Sequence, residues 1–76
     1  MNEIDFQVLM YCSKFRNETS NISVDIPGLG CESVRRSLLN LQDKGYVIYK
    51  EAKKYINGPL YAEYIQITEI GLNKLQ

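Results

Sequence analysis

The chain has no histidine. That removes the usual general base near neutral pH and the commonest zinc ligand. Its two cysteines, Cys12 and Cys31, are too few and too far apart for a structural zinc site or for the disulfide framework of small secreted domains. A reduced, cytoplasmic setting is the expectation, with no metal and no cofactor. The sequence has no glycine-rich phosphate loop and no Gly-x-Ser-x-Gly stretch. Hydrolase, kinase and metalloenzyme chemistry therefore lack a starting point, and the chain is not expected to be an enzyme. No apolar run nears the roughly 18 residues needed to span a bilayer, so no membrane partner is expected. The opening MNEIDFQ is acidic, unlike a secretory signal or a transit peptide. Asn17 and Asn21 fit the glycosylation acceptor pattern, which carries no meaning without a secretory route.

Net charge is absent too, with nine basic and nine acidic side chains in 76 residues. Its distribution is uneven. Residues 1–30 hold Lys14 and Arg16 against Glu3, Asp5, Glu18 and Asp25, a net −2. Residues 31–54 hold Arg35, Arg36, Lys44, Lys50, Lys53 and Lys54 against Glu32, Asp43 and Glu51, a net +3. Residues 55–76 come to −1. A chain of this length reads as one domain, near the size where a single core is marginal, so a partner or a second copy would help it.

Periodicity gives the elements. Residues 2–16 read as a helix capped by Asn2, with Asp5 three residues on. Glu3 and Asp5 suit the positive end of its dipole, and Lys14 and Arg16 the negative end. Ile4, Val8, Cys12 and Phe15, with Leu9 and Tyr11 beside them, give its buried face. NETSNIS, residues 17–23, reads as a polar loop. Ser23 is the candidate cap of a short helix over 24–29, with Pro27 in its first turn and Gly28 and Gly30 breaking it. Residues 31–44 are the clearest helix. Val34, Leu38 and Leu41 face inward, Ser33, Arg36 and Asn40 face outward, and Gly45 stops it. Then the period changes. Residues 46–55 and 60–68 are rich in Tyr, Ile and Val and read as two strands, with Asn57-Gly58-Pro59 in the turn between them. Thr68 caps a last helix over 69–76, with Ile70 and Leu75 available for the core.

The order helix, short helix, helix, hairpin, helix is that of an α+β minimal winged helix. The residues that carry a family resemblance lie in its C-terminal two-thirds. VRRSLLNLQDKGYV, residues 34–47, resembles the recognition helix and following strand of MarR-type bacterial winged-helix regulators. Leu41, Gly45, Tyr46 and Val47 fill that pattern. ITEIG, residues 67–71, resembles the Leu-Thr-Glu-Lys-Gly stretch that ends the wing in that family. The two matches span about 45 residues with a gap of wing length between them. The long flanking helices that build the MarR dimer and ligand pocket have no counterpart here. Small winged-helix proteins of Gram-positive bacteria and their mobile elements are similar in ending on a Thr-Glu-x-Gly motif.

What the resemblance implies is double-stranded DNA binding and transcriptional regulation, with residues 31–44 in the major groove. Arg35 or Arg36 would pair with guanine, and Asn40 would meet adenine or a phosphate. Ser33 would donate to a phosphate; Glu32 would repel phosphates, with acceptance from cytosine as its one favourable contact. Lys53 and Lys54 on the wing would reach phosphates or a minor groove, with Tyr55 near the tip touching the partner. Plainer readings stand beside these. Exposed arginines are often only solvated, and lysines protect hairpin edges from aggregation. Tyr46, Tyr49, Tyr61 and Tyr64 are most simply strand residues packing across the hairpin. Cys31 starts a helix with Arg35 one turn on, the setting of a redox switch, although a small residue at a cap position is the favoured reading. Cys12 faces the core and should be inert. The alternative function is a protein–protein interaction module that docks through the hairpin or the first helix, and a homodimer is compatible with either function.

Overall fold

A computed structural model of the chain describes residues 1–53 and 59–76. Its elements are α1 (Glu3–Cys12), β1 (Thr19–Val24), α2 (Cys31–Asp43), β2 (Val47–Glu51), β3 (Leu60–Ile67) and α3 (Glu69–Lys74). The described residues thus form an α+β fold of three helices and one antiparallel sheet, with strand order β1-β3-β2. Among them, no helix is long and apolar enough to cross a membrane.

Asn2 caps α1 as its sequence implies: its side-chain oxygen accepts from the Asp5 backbone N–H at 2.8 Å. The helix ends earlier than its apolar pattern suggests. Ser13 closes it, with both its N–H and its hydroxyl donating to the Met10 carbonyl. Lys14 and Arg16 therefore lie beyond the last turn, and no basic residue meets the negative end of α1. Lys14 instead sets its ammonium 4.1 Å above the Tyr11 ring. The buried face is Val8, Leu9 and Cys12, with Phe15 after the helix. Ile4, expected among them, is 40% exposed, and the acidic Asp5 takes the inward place.

The loop expected over 17–23 and the helix expected over 24–29 are both overturned. Residues 19–24 form the edge strand β1, which pairs with β3 from Thr19 opposite Ile65 to Val24 opposite Leu60. Only Ile22 and Val24 of this strand turn toward the core. Its other side chains face water, so its polar composition hid it; pairing with β3 supplies what β propensity does not. Asn21 adopts a positive φ of 55°, which asparagine tolerates better than most residues. Pro27 sits in no helix. Leu29 N–H donates to Ile26 O at 3.1 Å across Pro27 and Gly28, and Gly28 has φ +86°. Proline then glycine at the two central positions is the composition of a type II turn, and that geometry excludes a helix here.

α2 buries Val34, Leu38 and Leu41, as expected, and Ser37 with them. Its end is a two-bond C-terminal cap: Gly45 N–H donates to Gln42 O, and Tyr46 N–H reaches back to Leu41 O. Gly45 takes the left-handed φ of +81° that this cap requires. β2 leaves directly from it. Gln42 Oε1 accepts from the Tyr49 backbone N–H at 2.6 Å, tying helix to strand.

β3 is the central strand. Its inward set changes phase between Ala62 and Ile65, and its register to β2 shifts opposite, between Lys50 and Glu51, as a β-bulge demands. Thr68 caps α3 by accepting from the Gly71 N–H at 3.0 Å. The same hydroxyl donates toward the carbonyls of Gly45 (2.6 Å) and Tyr46 (3.0 Å). Leu72 and Leu75 pack on the core, whereas Ile70, expected to do so, is 56% exposed.

Candidate functional site

The outward face of α2 begins with its spacing. Ser33, Arg36 and Asn40 recur at three- and four-residue steps, so they form one stripe along the helix. All three are exposed, and Val34, Leu38 and Leu41 fill the opposite side. Among the described residues Arg36 enters no ion pair, so its guanidinium keeps its full donor fork for an external acceptor.

Asn40 is held from beneath. Asp5, only 5% exposed, accepts from Asn40 Nδ2 at 2.8 Å and from Ser37 Oγ at 2.7 Å. A buried carboxylate is tolerable only when its oxygens are satisfied, and here each oxygen has its own donor. The bonds join residues 32 and 35 positions apart in sequence and fix how α1 crosses α2. The acceptor role of Asp5, and Ser37 altogether, escaped the sequence reading. A signal existed: Asp5 stands three, four and seven residues before Val8, Leu9 and Cys12, inside the apolar stripe.

Between the start of α1 and this face lies an open cleft of about 440 Å³. Asn2, Ile4 and Asp5 line it from one side and Ser33, Arg36, Ser37 and Asn40 from the other. Ser33, Arg36 and Asn40 therefore border one concavity.

Arg35 and Glu32 belong elsewhere. Arg35 Nε donates to Glu51 Oε1 at 2.7 Å, and its Nη1 reaches Glu32 Oε2 at 2.7 Å. The guanidinium bridges α2 to β2 and is committed inside the molecule. Tyr49 adds its hydroxyl to the same Glu51 oxygen at 3.1 Å. The Arg35 hydrogen bond holds the Glu51 carboxyl below its ordinary range, despite the opposing effect of burial. The Glu51 and Glu32 carboxylates in turn raise Arg35, with the Glu51 hydrogen bond the largest cause. Burial first, then the Glu51 charge, push the Tyr49 hydroxyl well above the usual tyrosine range. Arg35, expected to pair with guanine, is thus held by Glu51 and Glu32, and Glu32, expected to accept from cytosine, is paired with Arg35.

The positive excess of residues 31–54 is likewise partly spent internally, since Lys50 pairs with Glu63 across the sheet at 3.0 Å. Lys53 is exposed two residues beyond the end of β2. Lys54, Tyr55 and the Asn57-Gly58 turn lie outside the described residues. Tyr49 is buried on β2, and Tyr64 stands opposite Lys50 with its hydroxyl donating to Gln66 at 2.7 Å, so both act as strand residues. Cys31 opens α2 and is exposed; Cys12 is fully buried, and burial pushes its thiol up to about 12.

The chain matches no protein-family model, no curated protein and no solved structure at a significant level.

Proposed function

We propose that this chain is a DNA-binding winged-helix protein, a small transcriptional regulator that sets α2 into the major groove with the β2–β3 hairpin as its wing. The observation that carries the reading is the exposed stripe of Ser33, Arg36 and Asn40 on a helix whose opposite side is core. These are residue types that meet base edges and phosphates, and they sit within about the first three turns of the helix. The element order and the β1-β3-β2 sheet support a winged helix in which the turn over 25–30 stands where a further helix would precede α2. The base-reading arginine in this proposal is Arg36 alone; Arg35 serves as a strut. Lys44 and Lys53 are exposed and would add phosphate contacts.

Fluorescence anisotropy with mixed-sequence duplex at two salt concentrations tests it. Binding should be measurable at low salt, weaken steeply as salt rises, and be lost in Arg36→Ala. A wild-type chain that binds no duplex even at low salt would sink the reading.

One observation favours a second reading, a protein-interaction module. Met1, Ile4, Phe6 and Met10, on α1 or just before it, are each at least 40% exposed. An apolar surface of this kind on a short helix suits a protein partner or a second copy. The molar mass by light scattering separates monomer from dimer, and a two-fold dimer would require a palindromic duplex site.

A further inference from the structure

We infer that Asn40 is the residue that selects an A·T base pair, and that Asp5 is its positioning residue. This rests on the DNA reading above and gives it a sequence preference. A side-chain amide has two N–H donors and one carbonyl acceptor. The 2.8 Å contact runs from the Asn40 amide nitrogen to Asp5 Oδ2, so it is the nitrogen that faces Asp5. Asp5 cannot swing away to release it: the carboxylate is buried and its other oxygen is engaged by Ser37 at 2.7 Å. The amide is thereby prevented from flipping. The Asn40 groups left for an external partner are its carbonyl oxygen and one remaining N–H.

One donor beside one acceptor discriminates among bases. Adenine shows a donor and an acceptor side by side in the major groove. Guanine shows two acceptors, cytosine a donor and thymine an acceptor with a methyl group. Only adenine takes both remaining groups of Asn40 at once. Arg36, one turn earlier on the same stripe, has donors only and so complements the two acceptors of guanine. Residues four apart on a helix stand about 5–6 Å from each other, which sets the two contacts on neighbouring base pairs. A free asparagine could offer either face of its amide; this one is oriented before the duplex arrives, and that lowers the ordering cost of the contact.

The experiment is selection of bound duplexes from a randomised pool, followed by affinity measurements in which each base pair of the selected site is replaced in turn. Wild type should lose roughly ten- to a hundredfold at one A·T pair that neighbours a G·C pair. Asn40→Ala should bind the selected site more weakly and be indifferent at that A·T pair, yet keep its discrimination at the G·C pair. Asp5→Ala should blunt discrimination at the same A·T pair and no other, a pattern that a general loss of folding would not give. Thermal melts of both variants establish that they are folded, and Asn40→Ala alone decides the assignment should Asp5→Ala not fold. Undiminished A·T discrimination in Asn40→Ala overturns the inference while leaving the DNA reading in place. Absence of any duplex binding by wild type overturns the DNA reading and the inference together.

Discussion

Gly71 lies against the carbonyl oxygen of Tyr46, so close that a Cβ at position 71 would run into it. The contact joins the stretch 34–47 to the stretch 67–71. Thr68 completes the joint, its N–H donating to the Tyr46 carbonyl at 3.0 Å and its hydroxyl reaching the carbonyls of Gly45 and Tyr46. The corner where α2 turns into β2 is thus locked to the corner where β3 turns into α3. Gly71→Ala must push backbone against backbone and should cost about 1–3 kcal/mol of stability. Gly45→Ala forces a Cβ into the left-handed region at φ +81° and should cost about 1–2 kcal/mol. Asn73→Ala, on the exposed side of α3, should stay within about 0.5 kcal/mol of wild type. Urea unfolding of the three variants checks this, and a Gly71→Ala chain as stable as wild type would show that α3 docks elsewhere.

The Arg35–Glu51 bridge predicts an acid-sensitive component of stability. Glu51 is held below its ordinary range in the folded chain, chiefly by the Arg35 hydrogen bond. A carboxylate with a depressed folded pKa contributes stability that is complete above its unfolded value, about 4.3, and is lost as pH falls through the lower folded value. Arg35 stays charged throughout. Both partners are about one-third exposed, so the contribution is modest, about 0.5–1 kcal/mol. Glu51→Gln should melt earlier than wild type at pH 7, and the gap should close on acidification below pH 4. A gap that is constant across that range would count against the ion pair as its cause. Arg35→Ala should likewise lose stability while keeping duplex affinity within about threefold after correction for the folded fraction, in contrast to Arg36→Ala.

Thiol chemistry should be one-sided. Cys12 has no exposed surface, and burial pushes its thiol to about 12, far from the thiolate that reacts at neutral pH. Cys31 is exposed at the first position of α2. A thiol reagent at pH 8 should modify one cysteine per native chain, with the label mapping to Cys31, and a second only in denaturant. Two fast equivalents in the native protein would mean that the α1 face is open.

How much of this was legible in the residues follows from how local each feature is. α2 was legible because Val34, Leu38, Leu41 and Gly45 state a helix and its end within fifteen residues. The Asn2 and Thr68 caps were legible for the same reason. β1 was not. Ser20, Asn21 and Ser23 have no strand signature of their own, and the pairing that makes them a strand comes from Leu60–Ile67, about forty residues on. Pro27-Gly28 announced a turn, and the helix reading took Gly28 as a helix breaker instead of as the positive-φ residue of that turn. At the candidate site, spacing placed Ser33, Arg36 and Asn40 on one stripe. It could not distinguish Arg35 from Arg36, because that difference is made by Glu51, sixteen residues away on β2. Asp5 was read as a dipole partner because its acceptor role depends on Ser37 and Asn40, which only the helix crossing brings near.

That crossing gives the last prediction. Asp5 is the buried acceptor for two donors, one of them the buried Ser37 hydroxyl. Asp5→Ala leaves that hydroxyl without its acceptor and opens space between α1 and α2, so it should cost about 1–3 kcal/mol. Ser37→Ala removes one of the two donors and should cost less, since Asn40 still serves the carboxylate. Once Asp5 is gone, the serine hydroxyl is a buried liability, and deleting it should return part of what was lost. The double variant Asp5→Ala/Ser37→Ala should therefore be more stable than the sum of the single losses, by about 0.5–1.5 kcal/mol of coupling. Urea unfolding of the four chains in one double-mutant cycle measures this. Strict additivity would mean that the two side chains stabilise the crossing independently and that the bond between them does not.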